Sequence, residues 1–170
     1  IPNDTSQTTA LLREVDREQG VVRALARRGM VVDLGQGVLL DILFPDRDVE
    51  TIETNTGSIV ARLHYGNTSV LLTGDSPSSI ESYLVSLDAT GLSSTILKLG
   101  HHGSHTSTSK VFVDAVSPSV AVISAGKDNR YGHPHKDVLQ TLDVAKIPYV
   151  STAELGTIRF ESDGTTFTKK

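Results

Sequence analysis

Hydrophobic and polar residues follow a helical pattern at the start of this chain and a strand pattern after it. Leu11, Leu12 and Val15 recur at helical spacing among charged residues, which predicts an amphipathic helix over residues 7–18. Short apolar runs broken by glycine and proline come next, and their rhythm is typical of antiparallel strands. We expect these strands at residues 21–25, 30–34 and 38–44.

A β-hairpin is predicted near the middle of the chain. The apolar runs 59–65 and 68–73 flank Gly66-Asn67, a two-residue connection with glycine available for positive φ, which is typical of a tight hairpin turn. The second run leads directly to Asp75. The polar stretch 46–56, which precedes the hairpin, is predicted to be a loop.

Strands and helices alternate in the second half of the chain. This alternation is typical of an α/β fold, and we expect a mixed sheet with flanking helices. One predicted helix begins near Pro77, and two others cover residues 109–116 and 135–145. Predicted strands cover residues 95–99, 120–124 and 147–151. A hairpin is predicted around Asp163-Gly164.

The composition indicates one domain with a hydrophobic core, over residues 1–170, because 38% of the residues are hydrophobic. A net charge of -4 argues against a surface that holds nucleic acid by itself, since such binding depends on Lys and Arg neutralising phosphates. Without cysteine, only histidine and carboxylate side chains remain as metal ligands. No apolar run approaches the roughly 20 residues that cross a bilayer, so we expect the chain itself to be soluble.

Metal-competent side chains follow two of the predicted strands. The strand at 95–99 stops at Gly100 and is followed by His101-His102, and the strand before it ends in Thr73-Gly74-Asp75. Neighbouring strands that end this way can bring a carboxylate and an imidazole to one ion. We therefore expect half of a metal site, with the Asp75 carboxylate within roughly 6 Å of one imidazole.

The two adjacent histidines are expected to have different roles. On an extended segment they point to opposite sides, so only one is expected to contact the metal unless the turn begins between them. We expect His101 on the metal and His102 beside it or facing substrate. Two surface imidazoles are the alternative. His64 and His105 are expected to be structural or surface residues.

The loop from Lys127 to His135 is a candidate substrate-binding segment. It follows a predicted strand and combines hydrogen-bond donors, a phenol and an imidazole, although an ordinary loop before a helix is the alternative. Residues 133–138 also match three of the four positions of a His-x-His-x-Asp-His signature. We reject that match because valine replaces the final histidine and Asp137 fits the first turn of a helix.

Four motifs together resemble the metallo-β-lactamase-fold domain of the ComEC-type competence proteins. They are Asn55-x-x-Ser58-Ile-Val, Leu71-Leu-Thr-Gly-Asp75, Leu97-Lys-Leu-Gly-His-His-Gly-Ser104 and Asn129-x-Tyr-Gly-His-Pro134. The resemblance implies an αβ/βα sandwich and a divalent metal, zinc or manganese. It also implies that Asp75 and one of His101 and His102 are metal ligands and that His133 is a proton donor.

We assign the remaining site residues from the histidine turn and the loop that runs from Lys127 to His135. With His101 as the histidine ligand, His102 joins His133 as a catalytic residue. Ser104, Asn129 and Tyr131 are assigned to substrate binding.

One expected motif is absent from this sequence. The family carries an earlier His-x-Asp-x-Asp-His segment that supplies most ligands, and the chain resembles only the C-terminal half of that domain. We therefore expect sequence upstream of Ile1, and a metal site that is only partly occupied or empty in this chain. We also expect either association with the N-terminal half or self-association.

The resemblance implies phosphodiester hydrolysis of DNA in the complete domain. It further implies a parent protein embedded in the cell membrane, with this domain outside the cytoplasm. One alternative is another hydrolase of the same fold acting on an ester, lactam or small phosphodiester. The other is a non-catalytic module that mediates assembly beside a membrane channel.

Overall fold

A mixed seven-stranded sheet forms the centre of the computed structural model, which describes residues 5–170. The strands are β1 (Val31–Asp33), β2 (Val38–Phe44), β3 (Val60–Tyr65), β4 (Thr68–Leu72), β5 (Ile96–Lys98), β6 (Val120–Ile123) and β7 (Tyr149–Ser151). They pair in chain order, antiparallel from β1 to β4 and parallel from β4 to β7. A separate hairpin pairs β8 (Phe160–Ser162) with β9 (Phe167–Lys169).

Helices connect the parallel strands, as parallel pairing requires a crossover. The helices are α1 (Ser6–Arg17), α2 (Ser78–Asp88), α3 (Lys110–Val116), α4 (Lys136–Val144) and α5 (Thr152–Leu155). Of these, α2, α3 and α4 cross between successive parallel strands. The prediction of an α/β fold with a mixed sheet and flanking helices is therefore confirmed. Among the described residues, none of the helices has the length and apolar character to cross a membrane.

One face of the sheet packs against these helices and forms the core. Leu71 and Leu97 are at most 1% exposed and lie in one cluster with Leu84 of α2, Phe112 of α3 and Leu142 of α4. Burying each such side chain stabilises the fold by about 1.5–3 kcal/mol. The strands that carry the candidate site are therefore held rigidly in place.

The opposite face of the sheet is only partly covered. Its side chains alternate with those of the core, and Leu72 is 36% exposed. Phe160 and Phe167 of the last hairpin cover part of this face and leave shallow clefts of about 430 and 540 Å³ beside it. We call this surface the open sheet face; its residues are Leu63, Val70, Leu72, Val120 and Val150.

The predicted hairpin is confirmed, whereas the prediction of a strand at 21–25 is wrong. Tyr65 pairs with Thr68 across the turn, and Gly66 has a φ of 55°. Residues 21–25 have no regular structure, and Val22 is 88% exposed. An apolar run forms a strand only where a neighbouring strand can pair with it, and the sheet begins later, at β1.

Candidate functional site

The candidate site lies where three parallel strands end at one edge of the sheet. Leu71 pairs with Leu97 and Leu97 with Ala121, so β4, β5 and β6 are adjacent and end side by side. Asp75 follows the first of these strands and His101-His102 follow the second. The backbone N–H of His101 donates to the carbonyl oxygen of Gly74 at 3.0 Å. The two strand ends predicted from the sequence are therefore direct neighbours.

Asp75 is held by the loop that precedes the hairpin. Its backbone N–H donates to the Ser58 hydroxyl at 3.1 Å. The Asp75 carboxylate also lies close enough to Lys98 to raise the pKa of that ammonium group, although burial lowers it more and the net shift is downward. Half-buried Asp75 thus lies near a partly desolvated cation. The distance predicted between this carboxylate and an imidazole stays a prediction.

The turn that carries the two adjacent histidines is not extended. His101 and His102 both adopt left-handed conformations, with φ values of 47° and 58°. Their ring centres lie 6.3 Å apart, and both rings lie near His133. The turn therefore begins at these two residues, the exception to the alternation expected of an extended segment, because a left-handed pair turns the chain.

His133 brings the third strand end into the same cluster. Its ring centre lies 5.7 Å from that of His101 and 6.4 Å from that of His102. Asn129 fixes the loop, because its side chain accepts from the backbone N–H of His133 at 2.9 Å and donates to the carbonyl oxygen of the same residue at 2.6 Å. Burial lowers the pKa of His133, and the four neighbouring histidines lower it further.

Two more histidines complete the cluster. His105 is exposed, as expected of a surface residue, and His135 ends the candidate loop, but their place in this cluster was not predicted. The ring of His135 lies 4.9 Å from that of His133 and 4.7 Å from that of His105. The backbone N–H of His105 donates to Nδ1 of His135 at 3.1 Å, which leaves the proton of a neutral His135 ring on Nε2. Five of the six histidines therefore converge; we call them the histidine cluster: His101, His102, His105, His133 and His135.

The remaining histidine lies elsewhere. His64 contacts Asp41 of the neighbouring strand at 3.1 Å, a polar partner that the sequence pattern did not reveal. Asp137 lies in the first turn of α4, as expected. The signal for His105 and His135 was their closeness in sequence to the two histidine motifs, which the loop conformations convert into closeness in space.

The hydrogen bonds of the first two histidines leave one ring nitrogen of each available. Nδ1 of His102 lies 2.7 Å from the Ser124 carbonyl oxygen, which only accepts, so Nδ1 carries the proton. Nδ1 of His101 lies 3.2 Å from the Thr106 hydroxyl, which donates its own proton to the buried Ser104 hydroxyl. Among residues 5–170, no hydrogen bond then occupies the Nε2 lone pair of either neutral ring, the arrangement that metal-binding histidines adopt.

The residues assigned to substrate binding lie in different environments. Ser104 is only 3% exposed, and its hydroxyl accepts hydrogen bonds from the backbone and the side chain of Thr106. Tyr131, in contrast, is 61% exposed. Asn129 and Tyr131 line a cleft of about 420 Å³ with His102 and His133. Their roles toward a substrate, and those of His102 and His133 in catalysis, stay predictions.

A carboxylate outside the predicted set also lies near the cluster. Glu53 accepts backbone N–H groups from Asn55 and Thr56, which lower its pKa, and His101 contributes a smaller electrostatic lowering. It belongs to the stretch predicted to be only a loop. Nothing in its sequence context distinguishes it from other loop acids.

The site has the right ligand types for a divalent metal but does not bring enough of them together. Imidazole nitrogen and carboxylate oxygen suit zinc and manganese. Within the described part of the chain, no hydrogen bond occupies Nε2 of His101. Over residues 5–170, however, no group of three or more His, Asp or Glu side chains is arranged to hold a metal ion. Any such ion would need further ligands or a rearrangement of these side chains.

Comparison with known proteins relates this chain to a segment of larger bacterial proteins. It is 35% identical over 144 residues to "ComE operon protein 3" of Bacillus subtilis, covering 85% of this chain and 18% of that protein. It is 39% identical to "Competence protein ComA" of Neisseria gonorrhoeae (73% of this chain, 18% of that protein). It is 38% identical to "Recombination protein 2" of Haemophilus influenzae (73% and 15%).

The chain thus spans less than a fifth of the length of each of these relatives. No family model matches it.

Proposed function

We propose that this chain, which matches a segment of bacterial competence proteins, is a domain of a DNA-uptake protein and carries part of a metal-dependent phosphodiesterase centre. The relatives' names support the first part. The convergence of the histidine cluster beside Asp75, where three parallel strands end, supports the second. DNA is then the substrate.

The side chains divide into ligands and groups that face the substrate. Asp75 and His101 are the proposed ligands. The backbone of His101 is hydrogen-bonded to Gly74, which precedes Asp75, and within residues 5–170 no hydrogen bond occupies Nε2 of His101. A bound zinc or manganese ion supplies a Lewis acid and lowers the pKa of water. His102 and His133, which line the same cleft, are the proposed catalytic pair, with His133 as the proton donor. Burial and the neighbouring histidines lower the pKa of His133, which makes its protonated ring a stronger acid.

The open sheet face supports an αβ/βα sandwich as the complete architecture. A second layer is needed to remove this apolar surface from water, and we assign it to the N-terminal half of the same domain or to a second copy of this chain. We further propose that, in the parent protein, this domain lies outside the cytoplasm and beside a membrane-embedded part.

A nuclease assay tests the proposal. The 170-residue chain should hydrolyse labelled DNA only slowly in manganese or zinc, because its ligand set is incomplete. A polypeptide extended to the length of the relatives should turn over much faster and lose activity on Asp75→Asn but not on His64→Gln. Turnover by the short chain above about 1 per second, abolished by Asp75→Asn, contradicts the incomplete-site claim.

A non-catalytic assembly module is the second candidate function. The observation that favours it is the lack of a three-ligand group within residues 5–170. Under this alternative the extended polypeptide is as inactive as the short chain. An ester-substrate panel run in parallel separates both candidates from a hydrolase of different specificity.

A further inference from the structure

Tyr131 presents an exposed aromatic surface beside the histidine cluster. Its ring is stacked on that of His133, with centres 5.7 Å apart and planes inclined by 21°. The Arg130 guanidinium lies 5.0 Å from the Tyr131 ring centre and donates to its hydroxyl at 2.8 Å. With 61% of the residue exposed, the ring contributes little to the core.

The stacking continues into the cluster. The rings of His133 and His102 are inclined by only 22°, with centres 6.4 Å apart. Arg130, Tyr131, His133 and His102 thus form a series of planar groups, which we call the planar column. Three members of the column, Tyr131, His133 and His102, line the cleft of about 420 Å³ that opens at the strand ends.

The loop that carries the column is fixed before any ligand binds. Besides its two hydrogen bonds to His133, Asn129 donates to the Gly126 carbonyl oxygen at 2.9 Å. The backbone N–H of His135 donates to the Gly103 carbonyl oxygen at 2.9 Å and ties this loop to the histidine turn. A preorganised planar surface loses little entropy when a flat ligand stacks on it.

The charge of the chain narrows the ligand class. A net charge of -4 provides no general attraction for phosphates, and the loop itself offers only the cations Lys127 and Arg130. Stacking of bases on aromatic and guanidinium planes does not depend on electrostatic attraction between the protein and the phosphates. Bases inside a duplex are already stacked on each other and cannot use such a surface.

We infer that the exposed Arg130–Tyr131 pair, with His133 stacked behind it, stacks on an unpaired nucleobase of a single-stranded polynucleotide and holds the adjoining backbone at the histidine cluster. This inference rests on the proposed function for the location of the chemistry. It adds that the substrate is single-stranded at this point and that base stacking, not phosphate contact, supplies the local affinity.

Binding of a labelled oligonucleotide in EDTA tests the inference without cleavage. The wild-type chain should bind a single strand more tightly than the same strand with abasic sites or the matching duplex. Tyr131→Ala should weaken binding by about tenfold, the lower range for one stacked base, and Tyr131→Phe should retain it. Tyr149→Ala is the matched control, because Tyr149 is an exposed tyrosine at the start of β7, the end of that strand away from the cleft.

A strand containing 5-iodouracil should also crosslink to Tyr131 on irradiation. DNA and RNA strands of one sequence, tested side by side, show which sugar the site accepts. No saturable binding, equal affinity for abasic and normal strands, or an unchanged affinity in Tyr131→Ala overturns the inference.

The outcomes for binding and catalysis are distinguishable. Tyr131-dependent binding together with an inactive extended polypeptide supports this inference and contradicts the proposed hydrolysis. Cleavage that depends on Asp75 but not on Tyr131, with no base-dependent binding, does the reverse.

Discussion

Glycine at position 103 is what allows the histidine turn and the His133 loop to approach each other. Gly103 has a φ of 84°, and a Cβ built on it would lie 2.8 Å from Cβ of Pro134. Gly103→Ala should therefore lower the free energy of unfolding by about 1–3 kcal/mol, as a strained left-handed residue does. Urea denaturation measures it, and Gly126→Ala is the control because the nearest atom there lies 4.0 Å away. Equal effects of both variants would contradict the close approach.

A buried carboxylate supports the histidine turn from the helix side. Glu81 is 1% exposed and accepts the backbone N–H groups of Thr108 and Ser109 at 2.6 and 2.8 Å. Burial raises the pKa of Glu81, and the two hydrogen bonds oppose the shift. The folded state therefore binds this proton more tightly than the unfolded state does. The stability contributed by this group is full below about pH 4.5 and is lost as the pH rises through the raised pKa.

Glu81→Gln should remove this pH dependence, because the amide does not titrate. It should also cost about 1–3 kcal/mol, since its NH₂ group cannot accept the second backbone N–H. Denaturation curves between pH 4 and pH 8 measure the difference from wild type, which should be largest at the acidic end. The exposed Glu50→Gln is the control. A difference that grows toward pH 8 would contradict the raised pKa.

Helix α1 is an element that the rest of the described fold does not need. None of its residues is buried, and Leu12 is 44% exposed. Leu12→Ser should change the free energy of unfolding by less than about 0.5 kcal/mol, whereas Leu97→Ala in the core should cost about 2–5 kcal/mol. Urea denaturation compares the two. A loss at Leu12 close to that at Leu97 would show that α1 packs against the core in solution.

Elements with strong local signals could be predicted from the sequence, and loops that fold back could not. The hairpin at Gly66-Asn67 and the strand endings at Asp75 and His101 follow from turn chemistry and periodicity, so their location was predictable. The left-handed turn at His101 and His102 depends on contacts with distant loops, and no local pattern encodes it. That His105 and His135 join the same cluster could not be predicted for the same reason.

At the scale of the whole molecule, the described chain has a sheet with one face covered by helices and one face only partly covered by the last hairpin. Removing the open sheet face from water should drive self-association that buries on the order of 1,000 Å². Sedimentation should therefore show dimers at high concentration, and Leu72→Glu should shift them to monomers without unfolding the chain. Thr141→Glu, on the opposite helical side, is the control. A wild-type chain that remains an 18.2 kDa monomer at every concentration would contradict this packing.

The most direct test of the central claim is a zinc titration of the chain followed by the ring nitrogens of its histidines in NMR spectra. We expect Nδ1–H tautomers at His101 and His102 before zinc is added. Zinc should then shift Nε2 of His101 and leave His64 unchanged, and Asp75→Asn should weaken that response at least tenfold. Equal shifts at His64 and His101, or a response indifferent to Asp75, would contradict a metal centre where these strands end.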